Sequence, residues 1–315
     1  MTRGPVRTVF FGSGAFAIPI LVALLAAPEI DVVAVVSAPD RPVGRRREPT
    51  PTPLAARAAL IGLPLLRPSR IRDEAAIAEV AAVHPSLGIL ADYGRIVPQA
   101  VLDVPRHGIL NVHPSLLPRH RGATPIPAAI LAGDVSTGVT IIRMDAGLDT
   151  GPIVASETWP LDGTETAPEL ETRASVAGAE LLVRILPRWL DGSIVPRPQA
   201  GEAATVTRPL RREDGRLDPS EPASELARRV RALQPWPGSY VETASGRLTV
   251  WRALAVPSEG EDVPGQLVRH GIRPALTTVA GRLLLEEVQP SGGRRMTGDA
   301  FLRGRSLDPI VLPDG

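Results

Sequence analysis

The chain has 315 residues and a formal net charge of +1, with 35 basic side chains against 34 acidic ones. Its overall field therefore favours no nucleic-acid partner, and any such contact must come from a local cluster of arginines, because lysine is absent. The absence of cysteine excludes disulfides, thiolate zinc sites and cysteine nucleophiles.

The N-terminus predicts neither a secretory leader nor a membrane anchor. Residues 1–12 run directly into a strand-like stretch, and the longest apolar segment, 15–27, is too short to span a bilayer. We therefore expect a cytoplasmic protein without membrane contact. The length favours two domains over one.

The first half of the chain alternates apolar strands with helices. Residues 6–11 predict a buried strand, which a Gly-rich turn joins to an apolar helix over 17–27. The same pattern predicts further strands at 31–38, 63–66, 87–91, 108–113 and 138–143, and further helices at 54–61, 73–83, 126–131 and 167–190. Strands that are apolar throughout are typical of a parallel sheet covered on both faces, so this half is predicted to be α/β.

The composition changes after residue 190. A segment rich in Pro and Gly lacks helical periodicity, and we assign it as a linker between a catalytic domain at 1–190 and a second domain at 209–315, with linker limits of 191–208. Within the second domain, 239–256 and 275–288 each predict two strands around a Gly-containing turn. This pattern indicates a small, β-rich barrel or sandwich.

The Gly-rich turn after the first strand admits two interpretations. Gly12, Gly14 and Ala17 fit the G-x-G-x-x-A pattern of dinucleotide-binding folds. That pattern also needs an acidic residue at the end of the second strand, where this chain has Ser37 and Ala38, with Asp40 or Arg41 as a possible substitute. The alternative is a tight turn between a strand and a helix.

Other catalytic motifs are weak. A single D-T-G triplet at 149–151 lacks the second copy that an aspartic protease needs, and the chain contains no G-x-S-x-G. The five histidines include no H-E-x-x-H pair, so we expect no metal site.

The loop at 39–53 contains four arginines and five prolines. Proline removes hydrogen-bond donors and fixes φ, so this segment cannot form a helix or an inner strand, and we expect it to project. Its arginines suit bidentate phosphate contacts, although a solvated basic loop would have the same composition.

The segment at 108–125 holds the only asparagine of the chain, Asn111, two residues before His113. Both side chains face the same side of a strand, near its carboxyl end, where open α/β sheets bind ligands. A carboxamide beside an imidazole can donate hydrogen bonds to a developing oxyanion. Asp149, in a Gly-flanked loop after the next strand, is expected to join them at neighbouring strand ends. The three residues suit acyl transfer to an amine without a covalent enzyme intermediate.

These residues carry a family resemblance. The run NVHPSLLPRHRG at 111–122 and GLDTG at 147–151 resemble the folate-dependent formyltransferases, and within them the methionyl-tRNA formyltransferases. The similarity extends to PDRP at 39–42, GR at 44–45, YG at 93–94 and PWP at 235–237.

The resemblance implies a Rossmann-like formyltransferase domain with a mostly parallel sheet, followed by a smaller OB-like β-barrel domain that binds tRNA. The implied reaction transfers the formyl group of 10-formyltetrahydrofolate, without a metal, to the α-amino group of methionyl initiator tRNA for translation initiation. A cytoplasmic monomer that contacts the tRNA acceptor stem is expected.

The resemblance also assigns residues. By their positions in its motifs, the catalytic residues are Asn111, His113 and Asp149, the folate-binding residues are Ser115, Leu116, Leu117 and Pro118, and the tRNA-binding residues are Arg41, Arg45, Arg46 and Arg47. In the hypothesised reaction, Asn111 and a protonated His113 steady the oxyanion while Asp149 orients the imidazole.

Some positions depart from the family pattern. Residues 44–48 read Gly-Arg-Arg-Arg-Glu where many relatives have glycine and lysines, and Pro114 and His120 replace residues that are common at those positions. Three alternatives stay open: formyl transfer to a sugar-nucleotide amine or a purine precursor, an NADP-dependent oxidoreductase, and a non-catalytic RNA-binding module.

Overall fold

The computed structural model describes residues 4–43, 48–303 and 307, which form two compact units. Unit 1 takes its described residues from 1–125, 136–160 and 171–207. Unit 2 takes its described residues from 126–135, 161–170 and 208–315, so the two units interleave along the chain. The domain limits drawn from the sequence stay a prediction.

Unit 1 is an α/β unit. Its strands are β1 (Val6–Gly12), β2 (Ile30–Val36), β3 (Arg41–Val43), β4 (Glu48–Thr50), β5 (Leu65–Leu66), β6 (Leu87–Ala91), β7 (Ile109–His113), β8 (Arg121–Gly122), β9 (Ser136–Arg143), β10 (Ile153–Pro160) and β11 (Val206–Thr207). Its helices are α1 (Ala17–Ala26), α2 (Pro53–Leu60), α3 (Glu74–Ala82) and α4 (Gln99–Leu102). Two more helices, α5 (Pro125–Ala132) and α6 (Ala167–Leu190), include residues of both units.

The central sheet of unit 1 has the strand order β10-β9-β7-β6-β1-β2-β5. The strands from β5 to β7 are parallel, whereas β9 is antiparallel to both β7 and β10. This topology confirms the predicted α/β fold with a mostly parallel sheet. The strands are apolar throughout because helices cover both faces of such a sheet.

The two faces of β7 have different surroundings. A Cβ atom at Gly178 of α6 would lie 2.6 Å from Cγ1 of Val112, so the helix packs closely against the Val112 side of the strand. Side chains alternate along a strand, so Asn111 and His113 point to the opposite face. The sheet thereby places both polar side chains on the face away from α6.

Unit 2 contains an antiparallel sheet with the order β12-β13-β16-β15-β14, which curls into a half-barrel, and β17 pairs with β16. Its further elements are α7 (Ala223–Ala232), β12 (Ser239–Thr243), β13 (Gly246–Val256), β14 (Leu267–His270), β15 (Arg273–Thr277), β16 (Arg282–Pro290), β17 (Met296–Thr297) and α8 (Gly298–Leu302). The two predicted strand pairs are β12 with β13 and β15 with β16. Leu226 and Val230 of α7 pack into the core on this sheet.

Within the residues that the structure describes, no helix has the length and apolar character that crossing a membrane requires.

Candidate active site

Strand β7 presents two buried polar side chains on one face. Asn111 is 5% exposed and His113 is 4% exposed. Buried polar groups need hydrogen-bond partners, since leaving one unsatisfied costs about 1–3 kcal/mol. Asn111 finds such a partner in the loop that follows β9, and His113 finds one in the backbone carbonyl of His120.

Asp149 brings the three predicted catalytic residues together. Its Oδ1 accepts a hydrogen bond from Nδ2 of Asn111 at 3.1 Å. Its Oδ2 lies 3.6 Å from Nδ1 of His113 and accepts a hydrogen bond from the backbone N–H of Gly122 at 2.8 Å. One carboxylate therefore contacts the carboxamide, the imidazole and a backbone donor.

The route by which Asp149 reaches this position differs from the one expected. Strand β9 runs antiparallel to β7, so its end at Arg143 pairs with Leu110 and lies away from His113. The three residues consequently do not meet at neighbouring strand ends. Instead, the loop at 144–152 turns back over the sheet, which places Asp149 above the face that carries Asn111 and His113.

The tautomer of His113 is set by a backbone carbonyl. Its Nε2 lies 3.0 Å from the carbonyl oxygen of His120, which can only accept, so Nε2 carries the hydrogen. In the neutral imidazole, Nδ1 then has a free lone pair on the side of Asp149. Burial lowers the pKa of His113, and the Asp149 carboxylate offsets part of this effect. The resting site thus favours neutral His113, whereas the sequence interpretation used the protonated form.

Two residues of the site have left-handed backbones. His120 has φ of 58° and Asp149 has φ of 50°, a conformation that non-glycine residues rarely adopt. The loop around Asp149 is braced by Asp145, whose Oδ1 accepts hydrogen bonds from the Thr150 hydroxyl at 2.6 Å and from the backbone N–H of Gly147 at 3.1 Å. Surrounding contacts thus determine the orientation of Asp149.

The predicted folate-binding residues form the turn after β7. The buried Ser115 donates a hydrogen bond from its hydroxyl to the carbonyl of Arg119 at 2.7 Å. The backbone N–H of Leu117 donates to Oγ1 of Thr140 at 3.1 Å, and the side chain of Leu116 packs over Gly138. Ser115 therefore stabilises the turn from within. Contact of folate with Ser115, Leu116, Leu117 and Pro118 stays a prediction.

Of the predicted tRNA-binding arginines, the structure describes Arg41. Arg41 begins β3, which forms a two-stranded antiparallel ladder with β4, and it is exposed. Positions Arg45, Arg46 and Arg47 lie outside the described residues. Their contact with tRNA stays a prediction.

The Gly-rich turn after β1 is a tight turn packed against β6. The backbone N–H groups of Ser13 and Gly14 both donate to the carbonyl of Asp92, at 2.8 and 3.3 Å. A Cβ atom at Gly14 would lie 1.6 Å from Oδ2 of Asp92. These two N–H groups, which a bound pyrophosphate would require, already donate to Asp92. The turn therefore fits the interpretation as a tight strand-to-helix turn better than dinucleotide binding.

Several site residues were missed from the sequence. Gly122 supplies a backbone donor to Asp149, His120 fixes the imidazole through its carbonyl, and Gln199 contacts the Asp149 loop. Gln199 carried a signal, because the chain has only five glutamines and the same scarcity singled out Asn111. The roles of Gly122 and His120 depend on backbone groups, which side-chain motifs do not reveal.

A metal site requires several ligand side chains in a suitable arrangement. Among the residues that the structure describes, no group of three or more His, Asp or Glu side chains has an arrangement that could hold a metal ion.

Comparison with known proteins assigns the family. A family model described as formyl transferase matches residues 6–186, and a second, described as formyl transferase, C-terminal domain, matches residues 209–306. The chain belongs to the formyl transferase family. Within this family, a methionyl-tRNA formyltransferase of Chloroflexus aurantiacus is 44% identical over 308 residues, covering 97% of this chain and 99% of the relative. One of Thermus thermophilus is 45% identical over 304 residues, covering 96% and 97%. The predicted recognition as a methionyl-tRNA formyltransferase is confirmed.

Solved structures of more distant family members share the fold. An N-formyltransferase from Helicobacter canadensis, in complex with folinic acid and dTDP-3-aminofucose, has a TM-score of 0.67 at 15% identity and covers 89% of this chain and 98% of its own. A likely sugar N-formyltransferase from Mycobacterium tuberculosis has a TM-score of 0.60 at 23% identity, covering 81% and 99%.

Proposed function

We propose that this chain transfers the formyl group of 10-formyltetrahydrofolate to the α-amino group of methionyl initiator tRNA. The observation that carries the proposal is the contact of Asp149 with both Asn111 and His113 on one face of β7. A neutral donor, a base and a carboxylate in one place suit acyl transfer to an amine. The sequence identity of 44% and 45% to methionyl-tRNA formyltransferases, over nearly the whole chain, supports this choice of acceptor.

Asn111 is the proposed donor to the formyl oxygen. Its Nδ2 group has two hydrogens, one of which is directed to Oδ1 of Asp149. The second remains to stabilise the negative charge that develops on the formyl oxygen as the amine attacks. An amide suits this task because it donates without carrying a charge that would repel the substrate.

His113 is the proposed proton carrier. Because Nε2 holds its hydrogen against the carbonyl of His120, Nδ1 is the atom that accepts the proton of the attacking amine. The resulting imidazolium lies 3.6 Å from the Asp149 carboxylate, whose charge stabilises it. Nδ1 then returns the proton to the folate nitrogen as the bond between the formyl carbon and that nitrogen breaks. One carbon–nitrogen bond forms, one breaks, and the proton is conserved.

The residues present fit a folate formyl donor. Nδ2 of Asn111 and Nδ1 of His113 both lie beside the Asp149 carboxylate and so converge on one small space. The 115–118 turn follows β7 directly, and we propose that it lines the folate site. Bound folate would supply the activated formyl group, and the chain would supply orientation and proton transfer.

The proposed tRNA contacts are with Arg41, Arg45, Arg46 and Arg47 and with unit 2. Arginine forms bidentate bonds to phosphates, and an exposed hairpin suits insertion against an acceptor stem. We propose that the protein acts as a monomer, and in the cytoplasm, where its acceptor is used to start translation.

A formylation assay tests the proposed function. Purified protein is incubated with 10-formyltetrahydrofolate and either initiator or elongator methionyl-tRNA, and formyl-methionine is quantified after deacylation. We expect formylation of the initiator species at a much higher kcat/KM. Formylation of a sugar-nucleotide amine with neither tRNA modified would contradict the proposed acceptor, and no transfer to any amine would contradict the chemistry.

A further inference from the structure

The chain segment at 197–207 lies against the loop that carries Asp149. At one end, Arg197 and Ile153 exchange two backbone hydrogen bonds of 2.7 and 2.8 Å. At the other end, β11 pairs in parallel with β8, so Thr207 is opposite Gly122, whose N–H donates to Asp149. The segment falls after residue 186, where the match to the first family model ends. It nevertheless contacts both sides of the candidate site.

Gln199 is the side chain of this segment that reaches the Asp149 loop. Its Nε2 donates to the carbonyl oxygens of Asp149 and Gly151, at 2.7 Å each. Its Oε1 accepts from Nε and Nη2 of Arg121, at 3.1 and 2.7 Å. One amide group thus joins the backbone on both sides of position 150 to the side chain of Arg121, which precedes Gly122 in β8.

We propose that Gln199 is a positioning residue for the formyl transfer, which holds the Asp149 carboxylate in register with Asn111 and His113. The inference rests on the proposed function of those three residues. Gln199 itself contacts neither Asn111 nor His113 in the described hydrogen bonds, and so acts only through the loop.

The conformation of the loop explains why such a residue is needed. The backbone of Asp149 is left-handed, with φ of 50°, and the loop folds back over the sheet instead of continuing β9. A residue in this region of φ is stable only when surrounding contacts hold it there. The two hydrogen bonds from Gln199 bind carbonyls on either side of Thr150 and therefore restrain the turn from which the Asp149 side chain projects.

Misplacement of Asp149 has a chemical consequence at His113. The titratable groups that act on His113 are Asp149, which raises its pKa, and His120, whose imidazole lowers it while its carbonyl raises it. A carboxylate that moves away from Nδ1 loses its effect on the imidazole. The pKa of His113 then falls further below its ordinary value, and the proton it accepts during transfer is less stabilised.

Two variants separate this role from a general structural one. Gln199→Glu keeps the length of the side chain and the acceptor for Arg121, but places a carboxylate oxygen against two carbonyl oxygens. Gln199→Met keeps the volume of the side chain but removes the Nε2 donor. It is neutral, and it tests the proposal even if Gln199→Glu does not fold. The matched control is Gln234→Glu in unit 2, since Nε2 of Gln234 also donates to two carbonyls, those of Val230 and Trp251, at 3.0 and 2.7 Å.

The first measurement is the NMR titration of the His113 imidazole in the free full-length protein, with the signal assigned through His113→Gln. We expect its pKa to fall in Gln199→Met, which adds no charge, and to stay at the wild-type value in Gln234→Glu, even where Tm falls equally. An unchanged His113 pKa in folded Gln199→Met would overturn the proposal.

The second measurement is the formylation rate. We expect kcat to fall by up to about 100-fold in the Gln199 variants while KM for both substrates changes little, because misplacement of a reacting group affects turnover more than binding. A raised KM with unchanged kcat would overturn the positioning role. If wild-type protein formylated no amine but the pKa shift were present, the proposed function would fail and the placement of Asp149 by Gln199 would stand.

Discussion

Asn111 and Asp149 are joined by a hydrogen bond of 3.1 Å from Nδ2 to Oδ1, although 38 positions separate them in the chain. The same carboxylate lies 3.6 Å from His113, so one side chain fixes both functional groups of β7. The rarest residue type of the chain is therefore bonded directly to the residue that completes the site. This relationship makes Asn111 the most direct position at which to test the chemistry.

Replacement of Asn111 by alanine is expected to lower kcat by about 100- to 1000-fold, the usual cost of losing one donor to an oxyanion. Asn111→Asp is expected to lower it further, because a second carboxylate would lie beside Asp149. Single-turnover formylation measures both effects, with thermal unfolding as a check on the fold. The control is Gln99→Ala, which removes an exposed amide-to-carboxylate bond of 2.7 Å to Asp103. Near-normal kcat in folded Asn111→Ala would contradict the assigned role.

Replacement of Asp149 by asparagine is expected to move the acid limb of the kcat profile to lower pH. The Asp149 charge raises the pKa of His113 against the effect of burial, so removing the charge lowers that pKa further. Because the neutral imidazole is the proposed base, activity is lost only once pH falls through the lower value. We also expect the plateau to drop by about 100-fold, since proton transfer is less favourable. An acid limb that stays at the wild-type pH would show that Asp149 does not act through the pKa of His113.

The burial of His113 also predicts a pH dependence of stability. Its pKa is lowered in the folded chain, so below about 6.5, the ordinary value for histidine, the unfolded chain binds a proton that the folded chain resists. This group contributes its full stability above that pH, and the contribution is lost as pH falls toward the folded pKa. We expect His113→Gln to show a smaller loss of Tm between pH 7 and the folded pKa than wild type. Parallel Tm curves would contradict the assignment of the titration to His113.

Much of this site was predictable because side-chain alternation places Asn111 and His113 on one face of any strand.

The secondary structure was predictable to different degrees. Helix α6 matched its predicted limits because its apolar periodicity continues over many residues. Strand β10 was missed, since it is an edge strand in which only Trp159 is buried, and it lacks a continuous apolar run. Helix α7 was missed because it is rich in arginine and buries only separated positions, Ala223, Leu226, Val230 and Ala232.

The approach of Asp149 was not predictable from local sequence. It depends on the antiparallel direction of β9 and on contacts with Gln199, which lies 50 positions away. No periodicity encodes such contacts, because they arise only when the chain has folded. The sequence therefore predicted the candidate catalytic side chains, and the structure shows the groups that contact them.

The arginine loop is expected to control tRNA binding independently of the chemistry. Single changes of Arg41, Arg45, Arg46 and Arg47 to alanine should each weaken binding and reduce the slope of log K against log salt by about 0.7–0.9 for every phosphate that the variant no longer neutralises. The exposed Arg188 of α6 provides the control, as Arg188→Ala. Filter binding at several salt concentrations measures the slopes, and folate affinity should stay constant. Slopes equal to that of wild type would identify the loop as a solvated projection.

Replacement of Gly122 by alanine is expected to lower both the stability of the fold and kcat. Its φ is +98°, and a Cβ atom there would lie 2.5 Å from the carbonyl oxygen of Thr207, so Gly122→Ala forces β11 away from β8. We expect a destabilisation of about 1–3 kcal/mol, typical of overpacking, and a lower kcat because the Gly122 N–H bonded to Asp149 is displaced. Gly192→Ala is the control, since Gly192 has φ of +81° with open space around it and therefore measures backbone strain alone. Denaturant unfolding and single-turnover rates compare the two variants. Gly122 is bonded to the Asp149 carboxylate, whereas Gly192 is the control for strain. Equal losses of kcat in both variants would therefore show that strain, and not the position of the Gly122 N–H group, limits turnover.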